Sequence, residues 1–223
     1  MQRLDELNRF YAILTTLEQK AGTKIIHECD NKMYWPAYGV YFFFETGEMR
    51  DDLQQFRVVR VGSNADLQET DSNLWSDLRQ HRGTIAGKFA GGGNHRASFF
   101  RLHIGTSLIN KEGIRCDSWI EEEIANARIR KAEHQLEVRV SNLINTMPFL
   151  WLEVNNSEQA RYIEKNSIAL LSNFGKPPID KPSPGWLGNY CNNSYVKTSG
   201  LWNVDYVEDQ YNAAFLDELA QLV

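Results

Sequence analysis

The chain has little cysteine, no long apolar run and no surplus of positive charge, and each shortage excludes something. Its three cysteines, Cys29, Cys116 and Cys191, are far apart and in no Cys-x-x-Cys or Cys/His spacing. That excludes a disulfide framework and a sequence-encoded zinc site, and it predicts reduced thiols. No apolar stretch approaches the ~20 residues a membrane span needs, so no membrane partner is expected. The opening Met1-Gln2-Arg3-Leu4-Asp5-Glu6 lacks the charged-then-apolar layout of a signal peptide, and a cytoplasmic location is the expectation. A formal net charge of −5 argues against coating nucleic acid by bulk electrostatics.

One further shortage is local. Between Leu78 and His103 there is no Asp or Glu, while Arg79, Arg82, Lys88, Arg96 and Arg101 fall there together with His81, His95 and His103. If this segment lines one surface, it gives an acidic body a local anion-binding face; the alternative is an ordinary solvated loop.

What is present suits a soluble globular fold. With 223 residues, 42% of them hydrophobic, the chain can bury a sizeable core. Leu4, Leu7, Phe10, Tyr11, Leu14 and Leu17 recur at helical steps up to Gly22. Residues 24–26 read as a short strand. The run 40–45 is continuously apolar, so it predicts a strand buried on both faces, with a turn beginning at Thr46-Gly47-Glu48. Residues 56–61 predict its antiparallel partner. Asp71 or Ser72 is the expected cap of a helix from Leu74, on which Leu74, Trp75 and Leu78 face the core and Asp77 and His81 share another face.

Residues 86–94 carry four glycines, Gly87, Gly91, Gly92 and Gly93, at neither P-loop nor dinucleotide spacing, which predicts a mobile loop. Residues 95–109 turn helical, and 119–145 predict one or two charged helices in which Glu121-Glu122-Glu123 is a solvated face. Met147-Pro148 breaks that pattern; 149–154 is a strand, and a helix follows with Glu164 near its apolar stripe. Residues 176–185 form a Pro-rich linker, and the tail ends in a helix over 213–222. The expected fold class is α+β, a single domain with a lead-in (1–38), a core (39–175) carrying an insertion (84–147), and a linker and tail (176–223).

Three segments carry a resemblance. Gly39-Val40-Tyr41, Arg60-Val61-Gly62, and the stretch from Val154 through Ala160 and Glu164 to Ile168 resemble, in order and spacing, the motifs of the GIY-YIG nuclease superfamily. The resemblance implies a small three-stranded, mostly antiparallel sheet flanked by helices. It implies a DNA endonuclease using one divalent metal ion, Mg²⁺ or Mn²⁺, of restriction or phage-defence type. Glu164 would hold the metal, Tyr41 would sit near the attacking water, and His81 would shuttle a proton, as in members with Arg-x-x-x-His on that helix. Arg60, Arg79, Arg82, Lys88, Arg96 and Arg101 would contact DNA, and cutting both strands would ask for a homodimer or two nicks. Asn173 or Asn203 would be the supporting asparagine, and Glu137 is a rival for the metal.

Two positions depart from the pattern. Arg60 replaces the tyrosine of the second triplet, and Asp77 stands where the phosphate-binding helix arginine belongs, so a carboxylate there would repel phosphate. Asp77 reads as the mark of a weakened member, as an inactivating change, or as a second metal ligand beside Glu164. Two other functions stay open: a catalytically silent DNA-binding module of the same fold, and a protein-interaction domain.

Overall fold

In a computed structural model, residues 2–65, 72–120 and 125–223 are described. Four strands, β1 (Lys24–Ile25), β2 (Gly39–Met49), β3 (Phe56–Ser63) and β4 (Pro148–Glu153), form one antiparallel sheet in the order β1-β4-β2-β3. The α+β expectation holds, with one strand more than the three implied, because the two-residue β1 adds to the outer side of β4. Seven α-helices accompany the strands among the described residues: α1 (Gln2–Ala21), α2 (Leu74–Arg82), α3 (Phe99–Glu112), α4 (Ala127–Ile144), α5 (Ser157–Leu171), α6 (Ser194–Ser199) and α7 (Phe215–Leu222). None is long and apolar enough to cross a membrane.

The continuous apolar run of β2 has a direct cause. Its side chains alternate between faces, and both faces are covered. Val40 and Phe42 join a cluster with α1, α5 and α7, including Phe10, Leu14, Ile163 and Phe215. Tyr41 and Phe43 join a second cluster with α2, α3, α4 and the tail, including Leu78, Phe100, Val140 and Trp202. The segment read as an insertion thus supplies about a third of the buried residues of one core layer, among them Phe100, Ile104 and Val140.

Local chemistry corrects several boundaries. β2 does not turn at Thr46 but runs to Met49, because Glu48 is buried and accepts two bonds from Arg57 on β3, at 3.1 and 3.0 Å. The cap of α2 is Asn73, in a reciprocal box with Ser76, rather than Ser72; Asp71 lies outside the described residues, as do Glu121, Glu122 and Glu123. The glycine-rich loop is closed by paired backbone bonds between Thr84 and residues 91 and 92. The Pro-rich linker is pinned to the β2–β3 turn, where Asp180 accepts from Arg50 Nε at 2.6 Å and from Asp51 N at 2.9 Å.

β2 and β3 pair with one irregularity. Phe43 faces Arg60 and Phe44 faces Val58, so Val59 has no partner across the pair. The tail runs along the other side of β3: Trp202 N donates to Val59 O at 2.7 Å, and the Asn203 amide both accepts from Val61 N and donates to Val61 O.

Candidate active site

The glycines of the two triplets are there for space. A Cβ on Gly62 would lie 2.2 Å from the Tyr41 hydroxyl, because the Tyr41 ring crosses over the backbone of its register partner. A Cβ on Gly39 would lie 2.8 Å from Leu74 and 2.9 Å from the Leu152 carbonyl. The first glycine therefore lets α2 approach the sheet, and the second lets Tyr41 reach across β3 toward α2.

Tyr41 meets two residues of α2 there. Its hydroxyl donates to Asp77 Oδ2 at 2.7 Å and lies 2.9 Å from His81 Nε2. His81 Nδ1 lies 2.8 Å from Ser98 Oγ, at the N-terminus of α3. One proton per group fixes the directions. Since the phenol donates to the carboxylate, it accepts from His81 Nε2–H, and Nδ1 accepts the Ser98 hydroxyl proton. A single-file chain therefore runs from Ser98 through His81 and Tyr41 to Asp77.

Its protonation states follow from burial. Burial, and then the Asp77 charge, raises the Tyr41 pKa well above the usual phenol value, so the phenol stays protonated. Burial, followed by the charges of Arg60 and Arg101, holds His81 well below the usual imidazole range and so neutral. His81 was expected on the polar face of α2, yet it is buried, because that face packs against Tyr41 and α3. Tyr41 has no exposed surface, whereas the Asp77 side chain is 22% exposed. Asp77 is the end of the chain that reaches water.

Beside this chain lies a cavity of about 250 Å³ between β3, α3, α5 and the tail, lined among others by Arg60, His103, Glu164, Asn203 and Trp202. Glu164 is half-buried on α5 and accepts from Ser63 Oγ, at the end of β3, at 2.6 Å. Asn203 lines the cavity; Asn173 instead binds Ile179 and Arg3, away from it. Asp77 is not among the lining residues. Among the described residues no three His, Cys, Asp or Glu cluster as metal ligands. One oriented carboxylate on a solvent-connected cavity nevertheless suits a hydrated ion such as Mg²⁺, which keeps several waters and takes one or two carboxylates.

The basic segment divides. Arg79 and Lys88 are exposed. Arg82 donates to Cys29 O and lies over the Trp75 ring, and Arg96 holds Glu133 through two bonds of 2.8 and 2.9 Å. Arg101 is 0% exposed and binds Glu137 at 2.5 Å, the His81 carbonyl and Ser141. Glu137 also accepts from the His95 backbone, so this rival carboxylate is spent inside the fold. An unbroken basic face from Arg79 to Arg101 is thus not formed, because Arg101 turns inward to neutralise Glu137. Sequence reasoning passed over Ser63 and Ser98, and it placed His103 only in the basic segment; the fold brings all three to the site.

A family model described as a GIY-YIG domain matches residues 1–223. No curated protein and no solved structure matches the chain.

Proposed function

Because the chain belongs to the GIY-YIG family, whose members are nuclease-type DNA endonucleases, we propose that it hydrolyses DNA phosphodiester bonds with one divalent ion, Mg²⁺ or Mn²⁺, held by Glu164. The observation that carries this reading is the placement of Glu164, oriented by Ser63, on the same cavity as Arg60, beside the Tyr41–Asp77–His81 chain. When bound, such an ion polarises the phosphoryl oxygens and stabilises the departing oxygen.

The other roles belong to the protein. Asp77, aimed by the Tyr41 hydroxyl and open to water, takes the proton of the attacking water. Tyr41 keeps its own proton and fixes the carboxylate. His81 and Ser98 hold Tyr41 in place from behind, which assigns His81 to positioning rather than to shuttling. Arg79 and Lys88, both exposed, contact flanking phosphates. The chain carries one such site among its described residues, so a double-strand break takes two copies or two successive nicks. A restriction or phage-defence role fits a nuclease whose second core layer and tail surround the site.

Cleavage of supercoiled plasmid in Mg²⁺ or Mn²⁺ tests this. The parent chain nicks the plasmid, Glu164→Ala abolishes nicking, and Asp77→Asn lowers its rate by roughly 100-fold, the usual scale for a general base. Nicking that survives Glu164→Ala sinks the assignment. The silent DNA-binding module is the second reading, favoured by a carboxylate at the arginine position. Salt-sensitive DNA binding by a parent chain that cuts under no metal would establish it instead.

A further inference from the structure

Arg60 differs from the four arginines that anchor the fold through carboxylates. Arg50, Arg57, Arg96 and Arg101 each hold a carboxylate, at 2.6, 3.0, 2.8 and 2.5 Å. Arg60 is half-buried and makes no ion pair among the described residues. Its guanidinium lies over the Phe100 ring, 5.0 Å from the centroid, with one long bond of 3.5 Å from Nη1 to Trp202 O. Its Nε is buried with no hydrogen-bond partner. A guanidinium offers five N–H donors, and most of these are unspent.

The backbone shows why it stands there. The irregularity at Val59 inserts one residue into β3, and a bulge of this kind redirects side chains across the strand. Val58 and Val61 face the α1 layer, whereas Val59 packs in the other layer, and Arg60 and Gly62 meet Phe100 and Tyr41 on that same side. Arg60 thereby lines the cavity that Glu164 also lines, where it is the only Arg or Lys among the described lining residues.

His103, on α3, lines the same cavity and is 8% exposed. Its Nδ1 lies 3.8 Å from Cys191 Sγ, and its Nε2 is buried without a partner. Arg60 Nε and His103 Nε2 are thus both buried without a partner, on side chains that line the same cavity, and such groups are costly to leave unmet. A phosphodiester supplies acceptor oxygens and the negative charge that Arg60 lacks.

We propose that Arg60 and His103 form the seat of the scissile phosphate, so that the positive charge missing at Asp77 on α2 is supplied from β3 instead. The proposal rests on the nuclease reading for its catalytic consequence, but not for its binding consequence. Arg60 grips the phosphate as a cation; His103 adds a neutral donor. The carboxylate at position 77 then becomes tolerable, since Asp77 does not line the cavity that holds the phosphate.

Two measurements on the full chain separate the possibilities. In the first, fluorescence anisotropy follows a DNA duplex in EDTA. Arg60→Gln is expected to weaken binding about tenfold and to reduce the salt slope by about one, the signature of one lost phosphate contact. Arg60→Lys restores the slope but not the full affinity, and Arg115→Ala, on an exposed ion pair, changes neither. An unchanged affinity and slope for Arg60→Gln, with an unchanged melting curve, overturns the seat whether or not the chain cuts DNA.

In the second, single-turnover cleavage compares Arg60→Gln, His103→Gln, Arg60→Tyr and the double variant Arg60→Tyr/Asp77→Arg, which restores the family pattern. Losses of about 100-fold for Arg60→Gln and about tenfold for His103→Gln are expected. The double variant is expected to cut at least about tenfold faster than Arg60→Tyr alone, a non-additivity that marks one shared role. If Arg60→Gln cuts as fast as the parent while Glu164→Ala is inactive, the seat fails and the nuclease reading stands. If the parent and Glu164→Ala are equally inactive, the nuclease reading fails, and the anisotropy result alone decides the seat.

Discussion

The two faces of the sheet are built on different principles. The face under α1, α5 and α7 is a plain apolar layer, with Phe10, Val40, Phe42, Ile163 and Phe215 in one cluster. The opposite face is as deeply buried but threaded with polar chains: Ser98–His81–Tyr41–Asp77 on one side, Arg101–Glu137–His95 beneath it, and Glu45 accepting from Trp186 and Trp202. A single strand, β2, serves both through alternate residues. The lesson is that one face stabilises the fold and the other spends part of that stability on fixing polar groups in position.

The largest effect that tests this contrast is on the polar face. Arg101→Met leaves Glu137 buried without its cation and should cost about 3–5 kcal/mol in urea unfolding. The pair of changes Arg101→Met/Glu137→Leu should recover most of it; a double variant as unstable as the single would show that the pair is held by more than charge.

Next comes acidity. Burial, and then the Arg60 charge, lowers the His103 pKa to about 4, whereas in the unfolded chain it lies near the ordinary value of about 6.5. The unfolded state therefore takes up a proton first. Stability is fully present above about pH 6.5 and is lost as the pH falls toward 4, by on the order of 3 kcal/mol for this residue. His81 shifts in the same direction and deepens the loss. Melting curves of His103→Gln across that window should be flatter than those of the parent; equal slopes would refute the assignment.

A smaller effect is steric. Gly62→Ala forces a methyl group into the Tyr41 ring and should cost about 1–3 kcal/mol, together with a break in the Tyr41–Asp77 bond visible as a tyrosine absorbance shift. Smallest of all, on the apolar face, Ile163→Val should cost about 0.5–1.5 kcal/mol. Its pH dependence of stability should match the parent's, since no titratable group is involved; a changed profile would blur the distinction between the faces.

Much of this arrangement was legible in the sequence, and the parts that were not have identifiable reasons. The apolar run of β2 announced burial on both sides, and Gly39, Tyr41, Gly62 and Glu164 stood at family spacing. Arg101 looked exposed because it sits in a basic segment; its partner Glu137 lies 36 residues away, and pairing at that range leaves no periodic signal. Ser98 was hidden for the same reason, and His103 was legible only as part of a basic segment, since both belong to a layer read as an insertion. The bulge at Val59 left no mark in Arg57-Val58-Val59-Arg60-Val61, which has the composition of any regular strand. Arg60 was therefore legible as a DNA contact in place of a tyrosine, but not as a side chain of the cavity that Glu164 also lines.

The tail along β3 has a consequence for assembly. β3 ends the sheet, and the outer side of such a strand offers unpaired N–H and C=O groups to any other extended chain, including another copy of itself. Trp202 and the Asn203 side chain occupy the groups of Val59 and Val61, so the protein blocks strand-to-strand aggregation with its own C-terminal segment. A chain cut before residue 200 would uncover that side of β3 together with the indole of Trp186, which packs on Trp202, and insolubility would be its first symptom.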